Sequence, residues 1–328
     1  MKVAVKAAEE RYWKYQPEGD FSGLELVFFS LDAPDEEVLA KAGDAEALVI
    51  DAIAIADASL IAGMPNLKMI MSEGVAYNGI DVNAATERNI FVCNNAGINA
   101  TAVAEQAVLL ILGLLRSVLA GSAAIARGAQ INFKEHLMFS GIREIGDCSI
   151  GLIGFGAIAK ETARLLAPFG GKLYYTSRHR ASQDIESKYG VEWLEQDELI
   201  RTCDIVSLHC PVTPATTNMV NDEFLAAMKN NALLINTARG DLVDNDAMVR
   251  ALEGDVIGGF GVDTIAPEPV LPDNPLLNMS EHASAKMLAS PHIGGVTTST
   301  FRRGFANTWN NLLRVKNGER PINIVNGL

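Results

Sequence analysis

The sequence is short of basic residues, of cysteine and of long apolar runs, and each shortage removes a class of function. Lys and Arg number 27 against 40 Asp and Glu, a net charge of -13. Affinity for nucleic acids rests largely on neutralising phosphates with Lys and Arg, so this balance argues against a polyanion as the main partner. Any anionic ligand must find a local basic site. The four cysteines, Cys93, Cys148, Cys203 and Cys210, have neither metal-ligand spacing nor the density of a disulfide scaffold, so reduced core thiols and no metal site are expected. The most apolar run, residues 107–115, is too short to span a bilayer, and the opening MKVAVKAAEE lacks the apolar stretch of a signal peptide. The expectation is a soluble, cytoplasmic protein with no membrane or nucleic-acid partner. Aromatics make up only 6% of residues; one small cluster, Tyr12, Trp13 and Tyr15, reads as a surface helix face.

What the chain does have is 328 residues, 48% of them hydrophobic, enough for two domains of ordinary size. Short β-rich runs at 2–5, 25–29, 47–50, 68–71 and 90–93 alternate with helix candidates at 35–42, 57–62 and 81–88. Each of these helices opens on Asp, a good N-cap or first-turn residue. A long apolar helix is expected over 101–119, and a second series of buried strands follows at 149–153, 173–176, 205–208, 232–236 and 257–262. An amphipathic helix returns at 297–315. Alternation of this kind predicts an α/β protein with parallel sheets covered by helices.

The run SIGLIGFGAIA at 149–159 is a buried strand, a glycine turn and a helix start, the context that a dinucleotide fingerprint requires. Gly154 permits the tight turn, Gly156 lets backbone N–H groups approach a pyrophosphate, and Ala159 allows helix and strand to pack. The helix N-terminus adds partial positive charge. An NAD-preferring site usually carries Asp or Glu about 20 residues on, whereas here the second strand ends in Tyr175-Thr176-Ser177-Arg178-His179-Arg180. A hydroxyl and two guanidinium groups suit a 2′-phosphate. NADP(H) is therefore favoured and NAD(H) left open; the alternative is that Arg178 and Arg180 sit in an ordinary solvated loop.

Several further motifs lie in a fixed order: LKMIMSEGVAYNGID at 67–81, VAE at 103–105, NTARG at 236–240, GGFGVDTIAPEP at 258–269 and SPHIGG at 290–295. With the glycine fingerprint, they make the chain resemble the D-isomer-specific 2-hydroxyacid dehydrogenase family over almost its whole length. Glyoxylate/hydroxypyruvate reductases and D-lactate dehydrogenases are among its members. The resemblance implies two Rossmann-like or flavodoxin-like domains, with the nucleotide-binding domain, residues 100–293, inserted into a substrate domain of residues 1–99 plus 294–328.

It also implies hydride transfer between NAD(P)H and a small 2-oxo acid, giving a D-2-hydroxy acid. Arg239 would bind the substrate, because a guanidinium holds a carboxylate and polarises the adjacent carbonyl. His292 would be the proton donor, a task suited to imidazole, and Glu268 the carboxylate that orients it. Cofactor contacts carry over to Gly154, Gly156, Ala157, Ile158, His209, Cys210, Thr237, Ala238 and Asp263, with Ser177, Arg178 and Arg180 at the ribose. Asp263 has a second reading, as a strand-end cap. The Gly74-Val75-Ala76 loop matches the family's carboxylate loop, where the backbone N–H groups of Val75 and Ala76 would face the anion.

The chain departs from the family at several points. Ala76 replaces a usual Gly and Asn78 a usual Asp. Glu73, at the expected pocket mouth, would repel a second negative charge and favour monocarboxylates. Pro267-Glu268-Pro269 keeps the carboxylate that pairs with His but loses an earlier one. The segment at Arg127-Gly128 lacks a Trp that relatives place near a dimer interface; a homodimer is the family expectation. The same fold also serves as a nucleotide-sensing, non-catalytic binding protein resembling transcriptional corepressors, and fold alone does not separate the two.

Overall fold

The computed structural model describes all 328 residues. They form two compact units, one of residues 1–98 with 297–328 and one of residues 99–296. Twelve strands carry the architecture: β1 (Lys2–Lys6), β2 (Glu25–Phe29), β3 (Ala47–Ile50), β4 (Met69–Ser72) and β5 (Phe91–Cys93) in the first unit. The second holds β6 (Ser149–Ile153), β7 (Lys172–Thr176), β8 (Val191–Trp193), β9 (Ile205–Leu208), β10 (Leu233–Asn236), β11 (Gly259–Val262) and β12 (Met287–Ala289).

In the first unit the order is β2-β1-β3-β4-β5, every pair parallel. Central strands such as Ala-Leu-Val-Ile in β3 are buried throughout, the continuous apolar pattern of a sheet covered on both faces. One face packs Leu48, Ile50 and Ile70 against Val38, Leu60 and Ile61 of the helices Asp35–Ala42 and Ala58–Ala62. Asp57 and Asp81 cap their helices, accepting from the N–H groups of Leu60 and Ala84 at 2.9 Å. The other face packs Val3, Val49, Met69 and Met71 against Phe305, Trp309 and Leu312 of the C-terminal helix Thr298–Lys316.

Tyr12 lies in this second layer, fully buried and edge-on to Phe28 and Phe305. The expected surface aromatic face is corrected accordingly: of that cluster only Trp13 is well exposed. Tyr12 is inside because its short helix, Glu9–Lys14, turns it toward the sheet that the C-terminal helix covers.

The second unit has a seven-stranded sheet, order β12-β11-β10-β9-β6-β7-β8, again parallel at every pairing. The chain goes from β6 to β7 on one side and returns with β9 on the other. This reversal opens a crevice at the carboxyl ends of β6 and β9, where α/β sheets bind ligands. The expected helix over 101–119 is broken. It runs Ala100–Leu115, then Ser117 adopts a left-handed backbone (φ 49°) and a new helix, Val118–Ala126, departs at 54°. Neither Gly nor Pro marks the break, so composition gave no sign of it. No single helix is long and apolar enough to cross a membrane.

Candidate functional site

Apart from VAE at 103–105, which lies in the helix Ala100–Leu115, the motifs that the sequence singles out in the second unit lie at or just beyond the carboxyl end of a strand. After β6, Gly154 sits at φ +94°, and a Cβ there would meet the backbone of His209 and Cys210 at 2.7–2.8 Å. This turn therefore requires glycine. A Cβ on Gly156 would meet nothing within 4 Å, so the absent side chain leaves open space over the start of the helix Ala157–Leu166. That helix has no side-chain cap, which leaves the first N–H groups, at Ala157 and Ile158, available to an anion. Ala159 is fully buried under the strand.

A cleft of about 840 Å³ opens from this turn, lined by Gly154, Gly156, Ser177, Arg178, His209 and Cys210 among others. A glycine cradle, an uncapped helix and a cleft of this size suit a dinucleotide. Ser177 donates its hydroxyl to the carbonyl of His179 at 2.7 Å, and Arg178 makes no ion pair within the chain. Arg180 is corrected as a cofactor residue. Its guanidinium is held by both carboxylate oxygens of Glu186, at 2.8 and 3.0 Å, and it does not line the cleft. Glu186 reaches back from the helix Gln183–Tyr189 and also accepts from the Tyr175 hydroxyl, so Arg180 is part of a structural ion pair.

His209 hydrogen bonds through Nε2 to the Ser207 hydroxyl at 2.9 Å, and burial pushes its imidazole down to about 4; it is neutral at physiological pH. Cys210 lines the same cleft, and its thiol is pushed up by burial. The other three cysteines are buried, and all four are free. Gln196, Thr213 and Thr216 also line the cleft. The Thr216 hydroxyl accepts from the Thr213 N–H at 2.7 Å and donates to the Pro211 carbonyl at 2.8 Å. The clustered prolines and threonines at 211–217 were the available signal for this turn.

After β10, Asn236 shapes the turn that presents Arg239: its Oδ1 accepts from the Ala238 N–H at 3.0 Å and its Nδ2 donates to the Arg239 carbonyl at 2.9 Å. Thr237 is buried and Ala238 half-buried beside it. Gly240 packs directly on Ile265 and Ala266, where a Cβ would come within 2.1 Å of the Ala266 nitrogen. Arg239 itself is exposed, with one bond to the Ala238 carbonyl at 2.7 Å. The neighbouring Ala266 carbonyl accepts from Asn245 and Asn274. The Arg239 turn and the Pro267-Glu268-Pro269 turn are thus fixed to one another through backbone. Both X-Pro bonds of the latter, at Pro267 and Pro269, are cis.

After β12, His292 adopts a left-handed backbone (φ 54°). Its Nδ1 lies 2.7 Å from Oε1 of Glu268, which leaves Nε2 for a ligand. Asp263 holds this loop. One carboxylate oxygen accepts from the Ser290 hydroxyl and from the Ile293 N–H at 3.0 Å, and the other from the Gly294 N–H at 2.8 Å. The Asp263 carbonyl accepts the His292 N–H at 2.8 Å. Gln106, from the helix Ala100–Leu115, donates to Ser290 at 2.8 Å. Sequence patterns pointed to Asp263 but gave no sign of Gln106 or Ser290 as its partners.

In the first unit, Val75 is exposed and Ala76 half-buried beyond β4. Glu73 is corrected. Its side chain is only 10% exposed and is paired with Arg11 at 3.2 Å, so its charge is turned into the first unit instead of standing free at the surface. Burial raises its carboxyl to about 7, against the opposing pull of the Arg11 charge.

A family model described as D-isomer specific 2-hydroxyacid dehydrogenase, NAD binding domain, matches residues 108–294. A glyoxylate reductase of Korarchaeum cryptofilum (strain OPF8) is 33% identical over 306 residues, covering 92% of this chain and 90% of that protein. A formate dehydrogenase of Pseudomonas sp. (strain 101) is 32% identical over 86% of this chain and 69% of its own length. Among solved structures, a D-lactate dehydrogenase with NAD+ from Lactobacillus jensenii superposes with a TM-score of 0.84 at 26% identity, covering 99% of both chains. With both its sheets and its sequence matched in this way, the chain belongs to the D-isomer specific 2-hydroxyacid dehydrogenase family.

Proposed function

We propose that this protein reduces a small 2-oxo acid to a D-2-hydroxy acid with NAD(P)H, NADPH favoured, and that Arg239, Glu268 and His292 carry the chemistry. The observation behind this reading is the 2.7 Å bond between His292 Nδ1 and Glu268, set beyond the same sheet edge as the glycine cradle. The bond fixes the ring so that Nε2 can give a proton to the substrate oxygen during reduction. Arg239, with one bond back to its own chain and the rest of its donor fork open, binds the carboxylate and polarises the carbonyl as charge develops on oxygen. In the first unit, the N–H groups of Val75 and Ala76 offer a further contact for a substrate carboxylate. A nicotinamide cofactor held by its pyrophosphate at the Gly154–Gly156 turn would supply the hydride. Ser177 and the unpaired Arg178 favour a 2′-phosphate, with His179 beside them in the cleft.

Glyoxylate is the first substrate to test, because several relatives carry that activity in their names. A homodimer is part of the same reading. Its support is the apolar surface of the helices Val118–Ala126 and Gln130–Ser140, where Leu119, Ile125, Ile131, Met138 and Phe139 are all more than half exposed, too large a group for a solvated monomer face.

The test is oxidation of NADPH and NADH against glyoxylate, hydroxypyruvate, pyruvate and aryl pyruvates at neutral pH. Turnover that falls at least about a hundredfold in His292→Ala, as expected for loss of a general acid, supports the reading. Preference for NADH would remove the phosphate argument and leave the enzyme. Tight cofactor binding with no turnover would favour a nucleotide-sensing protein.

A further inference from the structure

The loop after β4 is held by its carbonyls. The Glu73 carbonyl accepts from Asn95 Nδ2 at 2.8 Å and the Gly74 carbonyl from the Asn95 N–H at 2.8 Å. The Val75 carbonyl accepts from Asn94 Nδ2 at 2.7 Å and the Ala76 carbonyl from the Ser72 hydroxyl at 2.6 Å. Three of these four successive oxygens are thus tied to side chains, of residues that are themselves 0–4% exposed, and the Gly74 oxygen is tied to the Asn95 backbone. The N–H groups of Glu73 and Gly74, at the start of the loop, are also used, donating to the Ile50 carbonyl and the Ser72 hydroxyl. Those of Val75 and Ala76 donate to nothing in the chain. In a planar peptide unit the pinned oxygen of one residue fixes the N–H of the next, so the Gly74 oxygen sets the Val75 N–H and the Val75 oxygen sets the Ala76 N–H.

We infer that Asn94, through its side chain, and Asn95, through its backbone N–H, are positioning residues for substrate binding, turning the Ala76 and Val75 N–H groups outward as a rigid anion cradle; Ser72, on the Ala76 oxygen, sets the Tyr77 peptide beyond it. The inference rests on the proposed reduction of 2-oxo acids, since it assigns the cradle to the substrate carboxylate. The pinning is itself braced. Asn307 of the C-terminal helix donates to Asn95 Oδ1 at 2.6 Å, and Asn95 Nδ2 also lies 3.4 Å from the Thr308 hydroxyl. Gly74 completes it, because a Cβ there would strike Ala52 at 2.5 Å. Alanine in place of the family's usual second glycine costs the cradle nothing, as its contacts are made by backbone.

Asn94→Ala is compared with wild type and with Ser72→Ala, which frees the Ala76 oxygen outside the cradle. The measurements are KM and kcat for the best 2-oxo acid, Ki for oxamate, cofactor Kd by fluorescence and the thermal midpoint. Loss of the pinned Val75 carbonyl in Asn94→Ala should raise KM and Ki together by at least about tenfold, the scale of one hydrogen bond to a charged group. Cofactor Kd should stay at its wild-type value, and Ser72→Ala should leave KM and Ki near wild type. A purely structural role would lower kcat and the thermal midpoint through a smaller folded fraction and leave KM unmoved. That pattern, KM unchanged in Asn94→Ala, or an equal rise in Ser72→Ala, overturns the inference while the reductase reading stands. Absence of turnover by wild type on every 2-oxo acid overturns both.

Discussion

Replacing Asp263 by Asn tests how the His292 loop is held. The carboxylate accepts three hydrogen bonds, from Ser290, Ile293 and Gly294, and the residue is 3% exposed. An amide of the same shape has one acceptor oxygen. Turned one way it satisfies Ser290 and Ile293 and sets its amino group against the Gly294 N–H; turned the other way it confronts Ile293. At least one buried N–H loses a charge-assisted bond in either case, a cost of about 2 kcal/mol. Against this holding force, the left-handed backbone of His292 costs about 1–2 kcal/mol. The half-exposed Glu268 pair contributes no more than about 1 kcal/mol toward keeping it. The balance therefore tips toward relaxation of the loop. About 2 kcal/mol converts to roughly thirtyfold in the population of the working conformation, so Asp263→Asn should lower kcat/KM for the 2-oxo acid by that factor. Steady-state kinetics beside circular dichroism provides the assay. A fall of less than threefold in a protein with a wild-type thermal midpoint would refute the claim that Asp263 sets this loop.

Two further substitutions separate folding from binding and expose a pH dependence. Gly154→Ala combines a positive φ with backbone contact at His209 and should destabilise the second unit by about 3 kcal/mol; Gly156→Ala, which meets open space, should leave the thermal midpoint alone and weaken cofactor binding. Equal loss of stability in both would contradict this. Glu73 carries a carboxyl raised to about 7 by burial, partly offset by Arg11. The folded form holds a proton that the unfolded form releases, so its contribution is complete below the ordinary 4.5 and is lost as pH rises through about 7. That interval corresponds to about 3 kcal/mol. Glu73→Gln should flatten the urea stability of the protein between pH 4.5 and 8 by this amount, and an unchanged pH slope would count against the assignment.

The strands legible from sequence include those with continuous apolar runs, such as Ala-Leu-Val-Ile in β3 and Leu-Leu-Ile in β10. The two edge strands β8 and β12 are three residues each, Val-Glu-Trp and Met-Leu-Ala, and a pattern that short does not distinguish a strand from a loop. The residues in motifs could be located because glycine at a turn and His beside a carboxylate have local chemical reasons to be there. Side-chain direction could not. Glu73 and Arg180 were read as facing ligand because of their neighbours in the chain, but each is claimed by a charge from elsewhere in the fold, Arg11 and Glu186 respectively. Asn94, Asn95 and Ser72 escaped notice for a related reason: their targets are peptide carbonyls about 20 residues away for the asparagines, which no side-chain pattern encodes.

The C-terminal helix of the first unit covers a sheet whose strands were all made in the first 93 residues. During synthesis, that sheet emerges more than 200 residues before Phe305, Trp309 and Leu312 exist. Until the last stretch of chain leaves the ribosome, Val3, Val49, Met69 and Met71 have no helix to bury them, although the second unit is already complete in sequence. At ordinary elongation rates of about 5–20 residues per second, the uncovered interval lasts on the order of ten seconds or more. The nascent protein thus carries an apolar sheet face as a temporary target for chaperones.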